Sequence, residues 1–278
     1  MTDLIKSMKL YIQVERVFNE LRELGLADTD PVSVDTLVRF DQYHYEGVDA
    51  VDQAIQKCQI APHHHVLEVG AGIGGPARYL AHRAGCHVTA LELQADLNDI
   101  GRHLTARAGL SDSITHQVGD FLEANPAAEQ YDALASWLAF LHIPNRKLLF
   151  ERCFDHLKPN ASLFIEDFSK LHPFTAQESH DLESKIYCHY VPSPAEYVAH
   201  VEAAGFIDVQ FDDMSTRWTQ FVHERFDAFR SDRERQLRVH GAAVVEGLDD
   251  FYATMTALYE GGNLGGIRLT ARKPGVST

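Results

Sequence analysis

The sequence predicts an α/β protein built on a doubly wound, mostly parallel sheet of seven strands. Three observations carry that prediction. From residue 66 onward, short apolar runs alternate with helix-periodic segments. A glycine-rich turn, within "VLEVGAGIGGPARYLA", joins the first run to the first of those helices. Finally, two alternating segments near the C-terminus, "FIDVQFDDM" and "GGIRLTARKP", are separated by a long helical block, which suits a last strand that slots in antiparallel. Strands alternating with crossover helices give a parallel sheet covered on both faces.

The elements follow in order. Residues 4–24 place Met8, Tyr11, Val14, Phe18 and Leu21 at three- and four-residue steps before Gly25, the pattern of an amphipathic helix. "ADTDPVSVD" is a polar connector into "FDQYHYEGVDAVDQAIQKC", whose later part is helical. "HVLEVG" is then a strand, "GPARYLAHRAG" a helix closed by Gly85, "HVTALEL" a strand, and 95–108 a helix. "ITHQVGD" and "YDALASWL" are strands joined by a loop, "NRKLLFERCFDHLKP" is a helix stopped by Pro159, and "ASLFIEDF" is the fifth strand. Residues 170–192 show no strand pattern, and 194–204 form a helix after Ser193-Pro194. In the late block, Trp218, Phe226 and Phe229 read as core or as a subunit interface, so a homodimer is compatible with the sequence.

Composition narrows the function. The 278 residues, 45% hydrophobic, suffice for one folded domain with a sizeable core. Forty acids against 25 Lys and Arg give a net charge of −15, and the longest basic cluster, "RSDRERQLR", is broken by acids. No basic face is visible, so nucleic acid is rejected as a ligand. Four scattered cysteines without paired spacing predict free thiols and a cytoplasmic setting. No apolar run reaches membrane-span length, so no membrane partner is expected. His63, His64 and His65 are adjacent in sequence, but residues entering a strand alternate faces and no further ligand stands at metal spacing, so no metal is expected.

The glycine turn carries the chemistry. Gly70, Gly72 and Gly74 allow a ligand to approach the backbone more closely than a Cβ would permit. Glu68 stands at the end of the first strand, where a carboxylate can influence the turn or a ligand ammonium group. Glu92 ends the second strand, placed to accept both ribose hydroxyls of a nucleoside cofactor. These features serve a dinucleotide or S-adenosylmethionine equally. Asp120 and Phe121, in "GDF" at the end of the third strand, favour the second: the acid accepts from an adenine amino group and the ring flanks the base. The break in the strand–helix rhythm after residue 169 points the same way, since a nicotinamide enzyme more often adds further βαβ units.

With these motifs in view, "VLEVGAGIGGPARYLA", "SWLAFLHI", "LFERCFDHLKPNASLFIEDF" and "YEGGNLGGIRLTARKP" resemble sarcosine/dimethylglycine and phosphoethanolamine N-methyltransferases from about Phe40 to the C-terminus. The resemblance implies a Rossmann-like methyltransferase fold with a helical N-terminal lid over residues 1–60, a donor-binding core over 61–169, and substrate-side insertions within 170–262. It implies S-adenosyl-L-methionine as cofactor, held by Gly70, Glu92, Leu93, Asp120 and Phe121, with Tyr43 and His44 folding over it and Trp137 lining its pocket. His142 matches the histidine that works with a tyrosine near the transferred methyl; Tyr45 or Tyr11 is available as that tyrosine, and Tyr45 is taken as the candidate. Leu138 stands where the relatives place an ammonium-binding Asp, Tyr187 near their phosphate-binding Arg, and Phe168 at a further tyrosine. The resemblance therefore argues against phosphoethanolamine as substrate and for a less charged or partly aromatic acceptor lined by Leu138, Phe168 and Tyr187.

The expected activity is methyl transfer to a small molecule at an amine nitrogen, with His142 as base or orienting group. O-, S- or C-methylation, a nicotinamide-dependent reductase, and a non-catalytic scaffold are the alternatives.

Overall fold

The computed structural model describes residue 5 and residues 7–123 and 131–275. Residues 4 and 6 of the expected first helix, and most of the connection between the third and fourth strands, lie outside the described residues.

The sheet has seven strands: β1 (His65–Val69), β2 (His87–Glu92), β3 (Ile114–Val118), β4 (Tyr131–Trp137), β5 (Leu157–Lys170), β6 (Ile207–Asp213) and β7 (Leu264–Arg272). Their order is β3-β2-β1-β4-β5-β7-β6. The pairs from β3 through β5 are parallel, whereas β7 runs antiparallel to both β5 and β6. The order reverses between β1 and β4. Crossovers on the two sides of that point leave opposite faces, which opens a crevice at the C-terminal ends of these strands. Strands β1 and β4 are almost wholly buried, as expected where helices cover both faces and no water-facing side is left.

The helices α1 (Arg16–Glu23), α2 (Val34–Leu37) and α3 (Val48–Lys57) precede the sheet, and α4 (Gly75–Ala84), α5 (Ala95–Arg107) and α6 (Arg146–His156) cross it over. After β5 come α7 (Ala176–Ser184) and α8 (Pro194–Ala203); α9 (Ser215–Ser231), α10 (Arg233–His240) and α11 (Ala242–Glu260) fill the interval between β6 and β7. Capping boxes start α7 at Thr175 and α8 at Ser193.

Two expectations about elements change. The helix expected over 4–24 is not continuous: residues 7–15 are a succession of turns, and α1 follows only from Arg16. Met8 and Leu10 belong to a core cluster with Phe168 and Met255, whereas Val14, Val17 and Leu21 join Leu37 and Ile73 in another. A straight helix presents one stripe, so turning allows the segment to reach both clusters. Pro159 does not end a helix through a loop: α6 stops at His156 and β5 begins at Leu157. The proline sits where the β4–β5 register shifts, between the Leu157 and Ser162 pairs, so its missing N–H costs no ladder bond there.

Trp218, Phe226 and Phe229 are core, not an interface: they are buried beside Leu248, Met255 and Tyr259 of α11. Glu20 ties α1 to α10, accepting from His240 Nε2 at 2.9 Å and pairing with Arg235. Burial raises the Glu20 carboxyl, but the hydrogen bonds from His240 and Arg235 outweigh it and hold the group down to about 2. All four cysteines are free and buried. Among the described residues, no helix is long and apolar enough to cross a membrane.

Candidate active site

Two adjoining cavities open at the strand ends around the switch point. The larger, of about 400 Å³, is lined by Gly70, Gly72, Glu92, Leu93, Asp120 and Phe121, with Tyr11 and His142 at its edge. The second carries Tyr43, His44, Glu68 and Trp137 at one end and Tyr45, Leu138, Phe168 and Arg225 among its other walls. Tyr11, Gly70, Gly72 and His142 line both, and His142 stands where the two meet.

The turn after β1 explains its glycines separately. Gly72 has φ +53, and a Cβ there would meet no atom within 4 Å, so it faces open cavity. Its N–H donates to Glu92 Oε2 at 2.8 Å, and Glu92 Oε1 accepts from Gln94 N–H at 2.9 Å. Glu92 thus braces the turn while lining the larger cavity. Gly70 also lines the cavities, but its tightness is against protein: a Cβ would stand 2.2 Å from that of Ala139. Gly74 departs from expectation. It lines neither cavity, and a Cβ at its φ of +75 would come 2.8 Å from His116 Cε1, so this glycine serves the packing of α4. Asp120 is exposed and accepts from Leu122 N–H at 2.8 Å. Phe121 is buried and stacks on His156 at 5.3 Å.

Burial governs the ionisable groups. Glu68 is pushed up to about 8, mainly by burial and partly by Glu92, against the pull of Arg78. Its Oε2 is buried without a hydrogen-bond partner, as are Tyr43 Oη and Trp137 Nε1 on the same cavity. Three orphaned polar atoms converging on one space are a cost that a polar ligand would relieve. His44 bridges Gln42 Oε1 (2.8 Å) and the Tyr45 carbonyl (3.0 Å), and burial drives it down to about 4.

His142 ends a short 3-10 turn, Phe140–His142, directly after β4. Its Nδ1 lies 3.2 Å from the Tyr187 carbonyl. A carbonyl only accepts, so Nδ1 carries the proton and Nε2 the lone pair. Burial lowers its pKa to about 4, leaving the ring neutral near pH 7.

The tyrosine beside His142 is Tyr11, not Tyr45: the Tyr11 and His142 rings meet edge-on at 6.4 Å. Tyr45 packs against Trp218, Phe221, Phe168 and Tyr259 instead. Tyr187 does not line either cavity by side chain; its hydroxyl contacts Ser7, and its carbonyl serves His142. Leu138 and Tyr187 both hold left-handed backbone, φ +52 and +55, uncommon for such residues and typical of constrained sites.

Arg225 was missed. It lies on α9 in the stripe 218, 222, 225, 229, whose other members are apolar, and a charge on a buried stripe was the available signal.

The profile described as a methyltransferase domain matches residues 66–160. Residues 66–160 carry the pattern of a methyltransferase domain. The strand ends that build the larger cavity all fall within it or at its margin. A glycine/sarcosine/dimethylglycine N-methyltransferase of Actinopolyspora halophila is 30% identical over 165 residues, covering 59% of this chain and 29% of that protein. A phosphoethanolamine N-methyltransferase of Arabidopsis thaliana is 29% identical over 192 residues, 68% of this chain and 38% of that protein. The chain therefore spans less than two fifths of the length of these two relatives. Among solved structures, a Haemonchus contortus phosphoethanolamine N-methyltransferase in complex with phosphomonomethylethanolamine and S-adenosylhomocysteine superposes with a TM-score of 0.83 at 18% identity, over 98% of this chain and 60% of that one. That likeness establishes the fold: a seven-stranded, mostly parallel α/β sheet of methyltransferase type.

Proposed function

We propose that the protein transfers a methyl group from S-adenosyl-L-methionine to the nitrogen of a small-molecule amine. The observation that carries this reading is the position of His142, which lines both the larger cavity and the aromatic one.

The residues present fit the donor. Glu92, Asp120 and Phe121 would hold the nucleoside, Gly72 leaves open space for close approach, and Glu68, with its orphaned Oε2, would accept from the donor's ammonium group. Tyr43, His44 and Trp137 would enclose the other end, with residues 7–15 as the described part of the N-terminal lid beside them. The donor supplies a sulfonium-activated methyl, so the hard chemistry is the cofactor's.

The chain's own task is alignment and exclusion of water. His142 Nε2, a neutral acceptor, would take an N–H of the bound amine and turn its lone pair toward the methyl. As nitrogen gains positive charge its remaining N–H becomes acidic, and the same imidazole would receive that proton. Tyr11 would complete the wall beside it. Leu138 and Phe168 give the acceptor an apolar surface, and a small-molecule acceptor of partly apolar body follows. A donor-binding titration with S-adenosylhomocysteine, followed by transfer of labelled methyl across amines, thiols and phenols, tests the reading. Turnover confined to thiols or phenols would replace nitrogen as the target atom.

A further inference from the structure

Arg225 stands in the aromatic cavity with no carboxylate to balance it. Its guanidinium lies over the rings of Tyr252 (4.8 Å), Tyr45 (5.0 Å) and Phe221 (5.2 Å). Its Nε is buried with no hydrogen-bond partner, and none of the ion pairs among the described residues includes it.

The other ionisable groups on the cavity do not offset it. Asp41 is paired with Arg78 at 2.9 Å, both buried. Glu68 is pushed up to about 8 by burial, and His44 and His142 are driven down to about 4, so all three are chiefly neutral near pH 7. Burial also raises Tyr11, Tyr43 and Tyr45, keeping them as phenols. Before the donor binds, the cavity therefore carries one uncompensated positive charge, and a Glu68 carboxylate formed in the donor complex is matched by the donor's own ammonium group. A purely cationic amine would meet that charge as well as the donor's sulfonium, and the repulsion is strong where water is scarce.

We propose that Arg225 binds a carboxylate of the methyl acceptor, so that the acceptor is a small acid with an apolar or aromatic body. This rests on the methyl-transfer reading of the same site. A guanidinium pairs with a planar carboxylate through two parallel donors. A phosphate, doubly charged near neutral pH, would call for further cations, and the cavity lining has Arg225 alone among Lys and Arg. Leu138, Phe168 and Met255 supply the apolar wall for the rest of the molecule.

The test uses the full chain saturated with S-adenosylhomocysteine, which lacks the sulfonium charge, and titrates phenylacetate and phenylacetamide calorimetrically. Phenylacetate should bind about ten- to a hundredfold more tightly, the span expected for one charge-assisted pair. Arg225→Met should abolish that preference while keeping wild-type affinity for S-adenosylhomocysteine, and Arg225→Lys should restore part of it. Equal binding of the two probes by the wild type would overturn the proposal whether or not the variants fold. So would a preference that persists in Arg225→Met, or a variant that loses S-adenosylhomocysteine, which would put the guanidinium on the donor. Failure of the wild type to bind S-adenosylhomocysteine would instead overturn the methyl-transfer reading itself.

Discussion

His142 Nδ1 stands 3.2 Å from the backbone carbonyl of Tyr187, and this contact decides which ring nitrogen can serve an acceptor. Because the partner is main chain in a left-handed residue, the tautomer is set by the fold of the segment after α7, not by another side chain. His142→Ala should lower turnover about a hundred- to ten-thousandfold, the range of general acid–base contributions. Affinity for S-adenosylhomocysteine should stay near wild type. Turnover and calorimetry on one preparation check both; a folded, full-speed variant would remove His142 from the mechanism.

Tyr11 and Tyr45 separate cleanly. Tyr11→Phe should reduce turnover by about five- to tenfold if its hydroxyl holds the reacting groups, with little change in melting temperature. Tyr45 contacts four aromatic rings, so Tyr45→Ala should lower thermal stability by roughly 3–5 kcal/mol as a large-to-small core change. The reverse pattern would return Tyr45 to the catalytic role.

The glycine turn offers a similar contrast. Gly72→Val places a side chain in open space, so the protein should fold with a backbone cost of about 1–2 kcal/mol and lose donor binding. Gly74→Ala should do the opposite: its Cβ would crowd His116, so stability falls while donor affinity of the folded fraction persists. Chemical denaturation paired with donor titration distinguishes them.

Glu68 makes a pH prediction. Its folded pKa, about 8, lies above the ordinary 4.5, so the folded state binds the extra proton between those values. Wild-type stability should therefore fall relative to Glu68→Gln as pH rises from 4.5 to 8. An ammonium group arriving beside it favours the carboxylate. Binding of S-adenosylhomocysteine at pH 7 should thus release close to one proton, measured by calorimetry in buffers of different ionisation enthalpy. Glu68→Gln should release none; equal release from both would assign the proton elsewhere.

Much of this arrangement is legible in the residues themselves. Strand–helix alternation and the EVGAGIGG turn specify a parallel sheet with its crevice at the strand ends, and Glu92, Asp120 and Phe121 fall where an acid or a ring ends a strand. What is not legible depends on long-range packing. Tyr11 reaches His142 only because residues 7–15 turn instead of continuing a helix, and that turn answers two separate core clusters. Gly74 shares a motif with Gly72, yet local spacing does not reveal that His116 crowds one while the other faces a cavity. Tyr187 contributes a carbonyl, which any residue carries, so its identity gave no hint.

The central claim is that one crevice binds the donor and presents its methyl across His142 to an acceptor nitrogen. Its most direct measurement is single-turnover transfer from S-adenosyl-L-methionine labelled at the methyl carbon, using purified protein and an amine mixture that includes aromatic amino acids. The account predicts N-methylated product, formed with stoichiometric S-adenosylhomocysteine and slowed at least a hundredfold by His142→Ala. Donor binding without transfer to any nitrogen, or transfer at the wild-type rate by His142→Ala, would contradict it.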